Sequence, residues 1–187
     1  RELNIEGNPS RNWINDHLVY THGFGFVAAY GNTVDADGKP NFLVGDLPPT
    51  QNLGEFQPRV YFGENVPDYS IIGGKSDSPV EFDYPDDSSA NGQKNYTYTG
   101  NGGVPVGSLV NKLLFAIRYG EQRIILSNLI NSESKILFNR EPRERVAKVA
   151  PWLSLDGDPY PAIVDGKIKW IIDGYTTSSG YPYARST

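Results

Sequence analysis

The sequence predicts an α+β fold, with antiparallel strands and hairpins around a few short helices. Three observations carry this reading. Short β-prone runs alternate with Asp, Gly and Pro turns in the first third, one middle stretch repeats apolar residues at helical spacing, and an Asp-Gly pair splits two apolar runs near the end.

The elements follow in chain order. After Gly23-Phe24-Gly25, the run Phe26-Val27-Ala28-Ala29-Tyr30 is short and apolar, the acidic turn 34–40 follows, and Phe42-Leu43-Val44 returns, which reads as a hairpin. A further strand is expected at Arg59-Val60-Tyr61-Phe62-Gly63. Residues 77–103 are polar, acidic and glycine-rich without periodicity, so they read as an extended loop of high mobility, holding a strand at 95–99. Ser108 can cap a helix in which Leu109, Val110, Leu113, Leu114 and Ile117 recur at helical spacing, with Gly120 ending it. A second short helix is expected within 121–131. Pro142 suits the first turn of a third, in which Val146 and Val149 face inward and Pro151 marks the end. Last, Ala162-Ile163-Val164 and 167–172 flank Asp165-Gly166, a two-residue turn whose residues both tolerate positive φ.

Composition narrows the function. The net charge of -5 and the absence of a Lys/Arg block argue against a nucleic-acid partner, and the basic stretch 140–148 is diluted by Glu141 and Glu144 into a solvated helix face. With no Cys, thiolate catalysis, disulfides and Cys-based zinc sites are excluded. No signal peptide is visible in these residues, and no apolar run approaches the ~18 residues of a membrane span. The chain opens at Arg1-Glu2-Leu3 without Met, as an excised piece would. The expectation is therefore one soluble domain or fragment, residues 1–187.

Both histidines fall in Trp13-Ile14-Asn15-Asp16-His17-Leu18-Val19-Tyr20-Thr21-His22. Their spacing fits no zinc motif, which on a helix wants i, i+4. On a helix the rings would diverge by about 140°, and on a strand they would lie on opposite faces, so only a bend could join them. Asp16 and Tyr20 are candidate partners. His17 and His22 are expected to be hydrogen-bonded structural groups first and ligand-binding groups second.

Other candidates are weaker. The stretch 102–108 has phosphate-loop glycines but lacks the lysine that would follow Gly107, so a tight turn into the helix explains it. No Gly-x-Ser-x-Gly or Ser-x-x-Lys nucleophile signature occurs, and no catalytic residue is assigned. The acidic turns at 35–38 and 156–158 lack the closing glutamate of a calcium hand and read as Asx turns, so no metal and no cofactor is expected. Tyr160, Trp170, Tyr175, Tyr181 and Tyr183 could form a stacking platform for a sugar or peptide, or simply pack.

The segment from Trp13 through His17 and His22 to Gly25 resembles a signature of a UPF-type family of large, uncharacterised bacterial integral membrane proteins. The blocks at 111–116, 141–153, 155–162 and 170–177 are similar to it as well, so the resemblance covers most of the chain. It implies several N-terminal transmembrane helices in the parent protein, with this chain part of the extracytoplasmic portion. The implied location is the cell membrane, outer side. The attached helices are the implied partner, and a cell-envelope glycan or protein is a possible second. No reaction carries over. The leading expectation is a non-catalytic interaction or scaffold domain. The rivals are an enzyme acting on envelope polymer through the histidine segment, and a ligand-sensing domain.

Overall fold

The structure is a computed structural model describing residues 11–49, 54–74, 77–178 and 180. It is α+β. The strands are β1 (Gly23–Phe24), β2 (Ala28–Val34), β3 (Pro40–Val44), β4 (Arg59–Val60), β5 (Tyr69–Ile72), β6 (Glu81–Pro85), β7 (Gln93–Tyr96), β8 (Val104–Pro105), β9 (Lys135–Phe138), β10 (Ser154–Leu155), β11 (Tyr160–Val164), β12 (Lys167–Ile171) and β13 (Gly174–Tyr175). They form small antiparallel sheets: β1–β4, β2–β3, β6–β7, β10–β13, β11–β12 and the three-stranded β5–β9–β8. Three α-helices are α1 (Leu109–Tyr119), α2 (Arg123–Leu126) and α3 (Pro142–Val149), and a π-helical turn spans Asn15–Val19.

The core lies on the three-stranded sheet. Every residue of β5 is buried, and its register sets Tyr69 against Phe138 and Ile71 against Ile136. Trp13 and Leu18 from the π-turn segment, Val106, Ala116, Ile124 and Ile130 complete the cluster.

Local signals placed two elements well. Ser108 Oγ accepts the Asn111 N–H at 3.2 Å at the start of α1, and Gly120 ends it at φ 64°. Asp165 (φ 53°) and Gly166 (φ 66°) turn the β11–β12 hairpin with both residues at positive φ. The β2–β3 hairpin stands where the first apolar runs predicted it.

Elsewhere the structure corrects the sequence reading. The periodic stripe of α1, whose direction its spacing leaves open, faces outward, with Leu109, Val110 and Ile117 about 70% exposed (73, 67 and 70%). The core side is Phe115, Ala116 and Tyr119, with Lys112 Nζ donating to the Ile130 carbonyl at 2.9 Å. The second helix shrinks to the four residues of α2, because Ser127 turns to extended backbone at ψ 124°. In α3, Glu141 caps the first turn by accepting the Arg143 and Glu144 N–H groups, Val146 is half-buried, and Val149 is exposed on the wall of an open cleft instead of in the core. The stretch 77–103, expected as an extended loop with a strand at 95–99, carries the β6–β7 hairpin. Two of its acids, Glu81 and Asp83, are buried.

Candidate functional site

The histidine segment is a bend. Asn12 Oδ1 accepts the Asn15 N–H at 2.9 Å, the Tyr20 N–H reaches the Asn15 carbonyl at 2.8 Å to close a π-type turn, and the chain then extends through Thr21 and His22 into β1. His17 and His22 therefore enter separate surroundings. One borders a cleft, and the other is sealed.

His22 is 2% exposed and lies inside a network of charges. Thr21 Oγ1 donates to Glu81 Oε2 at 2.6 Å, and His22 Nδ1 lies 2.9 Å from the same hydroxyl. The threonine proton is thus committed, and the imidazole must donate to Thr21. His22 Nε2 donates to Asp83 Oδ1 at 3.2 Å. Both ring nitrogens carry protons in this arrangement, so His22 is an imidazolium. Burial alone would lower its pKa, but the bonds to Asp83 and Glu81 outweigh burial and raise it.

The surrounding groups complete the network. Asp83 receives Arg59 through two bonds, Nε at 2.8 Å and Nη2 at 2.6 Å, while the guanidinium stacks over Tyr96 at 3.6 Å. Glu81 Oε1 accepts the Gly73 and Tyr98 N–H groups, both at 2.9 Å. Tyr61 Oη adds a bond to Oε2 at 3.2 Å. Burial works to raise both carboxyl pKa values, yet these donors hold both below the usual carboxylate range. Arg140, 1% exposed, bonds the Thr21 and Tyr61 carbonyls and the Ser70 hydroxyl, and burial pulls its pKa down to about 9, which leaves it a cation at neutral pH.

His17 differs in every respect. Its ring stacks on Tyr69 at 4.0 Å and 7°, and Nδ1 donates to the Tyr69 carbonyl at 2.8 Å. Burial lowers its pKa, more than the Tyr69 carbonyl and Asp16 raise it, so the ring is neutral and Nε2 keeps a bare lone pair. His17 lines a cleft of about 430 Å³ with Trp13, Asp16, Asp68, Tyr69 and Glu121. Trp13 Nε1 donates to Tyr69 Oη at 2.8 Å across that wall. Of the two expected partners, Asp16 pairs with Arg11 at 3.1 Å, and Tyr20 packs edge-on against Phe82.

The aromatic candidates are dispersed. Tyr160 pairs with Ile171 and Trp170 with Pro161, so Tyr160 and Trp170 occupy opposite faces of their hairpin. Trp170 Nε1 donates to the Phe62 carbonyl at 2.7 Å, while Tyr160 and Tyr175 are exposed, Tyr175 on the separate β10–β13 sheet. Tyr181 and Tyr183 lie outside the described residues. Asp35 Oδ1 accepts the Asp37 and Lys39 N–H groups at 2.9 and 2.8 Å, an Asx turn, and no group of three or more metal-ligating side chains converges among the described residues. Gly107 sits against the backbone of Asn131 and Ser132, where an added Cβ would come within 2.4 Å of a carbonyl oxygen.

Sequence reasoning missed Glu81, Asp83 and Arg59, and it placed Arg140 on a solvated helix face, whereas Arg140 precedes α3 and is buried. A signal existed for the two acids. Glu81, Phe82, Asp83 and Tyr84 alternate with the period of a strand, but the acids take the inner side.

The family model described as "Uncharacterised protein family (UPF0182)" matches residues 1–187. The chain is 52% identical to a UPF0182 protein of Bifidobacterium longum over its full length and 18% of that protein's. It is 53% identical to one of Arthrobacter over 99% of the chain and 19% of that relative. It is 49% identical to one of Streptomyces coelicolor over 100% and 18%. The chain thus spans under a fifth of the length of these curated relatives. No solved structure matches it.

Proposed function

We propose that this chain, which belongs to the uncharacterised protein family UPF0182, is a non-catalytic interaction module that docks through the outer face of α1 onto the rest of a longer polypeptide. The observation that carries this reading is the outward stripe of Leu109, Val110, Leu113, Leu114 and Ile117. Full burial of each such side chain would contribute about 1.5–3 kcal/mol, and a contiguous exposed apolar face of this kind marks an interaction surface. The relatives have further chain to act as the occupant, since more than four-fifths of their length lies outside the matched region.

The envelope-enzyme alternative is less well supported. His22 does touch a hydroxyl and a carboxylate, but the hydroxyl proton is held by Glu81, and the ring has no lone pair with which to act as a base. Incubation with peptidoglycan and envelope glycans is expected to give no turnover. Turnover abolished by His22→Ala in a folded protein would revive the enzyme.

The placement we propose is on the extracytoplasmic side of a membrane-anchored parent. No helix among the described residues is long and apolar enough to cross a membrane. Protease added to intact cells should therefore cut this module, and protection until lysis would contradict the placement.

Docking itself is tested by labelling. The chain has no cysteine, so Leu113→Cys provides a unique thiol. Maleimide should modify it rapidly in the 187-residue chain and far more slowly at the matching position of a full-length, cysteine-free relative. Equal rates in both would refute docking.

A further inference from the structure

The ladder between β8 and β9 stops before β9 does. The Val106 N–H donates to the Ser134 carbonyl at 2.9 Å, and Val104 stands opposite Ile136. Bonded positions alternate along an antiparallel pair, so the next one would join Gly102 to Phe138. That bond is not made. Gly103 turns the chain away at φ 94°, and the Gly102 N–H donates to Tyr98 Oη at 3.0 Å. The same alternation points the Phe138 N–H and carbonyl away from β5, whose facing residue, Tyr69, has its carbonyl turned to His17. Among the described residues no other group bonds them, so β9 keeps a short open edge at Phe138.

A cleft of about 350 Å³ opens at this point, between the departing strand and α3. Phe62, Val104, Leu137, Phe138 and Val149 give it apolar walls. Its charged side chains, Arg145 and Lys148, are both cations, in a chain whose net charge is -5. Neither has a carboxylate partner among the described residues. The Arg145 guanidinium lies over the Phe62 ring at 4.7 Å, and Lys148 Nζ donates to Asn139 Oδ1 at 2.7 Å. A carboxylate entering here would meet two unneutralised cations and no acid.

We propose that this cleft binds an extended peptide segment carrying an acidic side chain beside apolar ones. The segment adds to β9 where β8 leaves it, exchanging main-chain hydrogen bonds with Phe138. Its apolar side chains cover the walls, and its carboxylate pairs with Arg145 and Lys148. A basic segment would meet like charge, and a small carboxylate would leave the open edge of β9 unpaired. Binding here needs nothing from the outer face of α1, so each surface can fail its test alone.

The test titrates the 187-residue chain with acetyl-Ile-Asp-Ile-Asp-Ile-amide and follows backbone amides by NMR. The expected result is a saturable shift centred on Gly103, Phe138 and Lys148, with the Phe138 N–H gaining protection from hydrogen exchange. The peptide with Asn for Asp should bind severalfold more weakly, and the peptide with Lys for Asp should not bind. Arg145→Gln combined with Lys148→Gln, both at exposed positions, should weaken the acidic peptide severalfold. Arg143→Gln removes a charge from α3 outside the cleft and should leave affinity nearly unchanged. No saturation by about 10 mM, far weaker than the micromolar range of specific ligands, would overturn the site. So would affinity unchanged in the double variant, or an equal loss in Arg143→Gln. Hexanoate binding as tightly as the peptide, or a Phe138 N–H left unprotected at saturation, would overturn strand addition and with it the peptide as occupant.

Discussion

The two imidazoles stand five residues apart in sequence and in opposite electrostatic worlds. His22 is sealed between Thr21 and Asp83, with every proton directed to an acceptor, and it is charged because two carboxylates demand it. His17 borders a cleft, holds one backbone bond and an aromatic stack, and is neutral because burial is not offset. The contrast shows that one residue type, carried on one bend, can brace a core at one position and expose a lone pair at the other. The chemistry is set by which groups from distant strands arrive.

The largest test of that contrast removes a carboxylate from each site. Asp83→Ala strands the His22 imidazolium and the Arg59 guanidinium without their shared counter-charge, and should cost about 3–5 kcal/mol in urea unfolding. Asp16→Asn removes a carboxylate whose Oδ1 has no partner and whose Oδ2 meets a half-exposed Arg11. It should change stability by less than about 1 kcal/mol. Equal losses would break the distinction between brace and rim.

These assignments were only partly legible in the sequence, for physical reasons. Ser108, Gly120 and Asp165-Gly166 act on their own neighbours, so their caps and turn could be read locally. The direction of α1 could not be, because its periodicity specifies a stripe but not what the stripe meets. The core is supplied by β5 and β9, which select Phe115, Ala116 and Tyr119 instead. Glu81 and Asp83 were hidden twice. Apolar-inward patterning misreads a strand whose inner residues are acids, and their partners Thr21 and His22 lie 60 and 61 residues away. Arg140 reaches Thr21 across 119 residues, a pairing that no local window contains.

Proton titration sharpens the contrast further. The folded pKa of His22 is raised, so its contribution to stability is complete below about 6.5, the unfolded value, and is lost as pH rises through the folded pKa. The folded pKa of His17 is lowered, so its contribution is complete above that value and is lost as pH falls through the folded pKa. Glu81 and Asp83 are also lowered, which places their loss in acid, below the ordinary carboxylate range. Two-histidine NMR should find one ring protonated above pH 6.5 and the other neutral below it. Asp83→Asn should lower the first and leave the second in place. A single shared midpoint would erase the difference.

The smallest expected effects come from deleting one hydroxyl on each side. Thr21→Val keeps the side-chain shape but removes the bridge between His22 Nδ1 and Glu81, in a place water cannot enter. It should cost about 1–3 kcal/mol, the penalty of a buried donor left unpaired. Tyr69→Phe removes the acceptor of Trp13 Nε1 but keeps the stack on His17. Because Trp13 and Tyr69 both line an open cleft, water can take the lost place, and the cost should fall to about 0.5–1.5 kcal/mol. Urea midpoints of the two variants order them directly. If Tyr69→Phe proved the more damaging, the cleft beside His17 would have to be as dry as the His22 network.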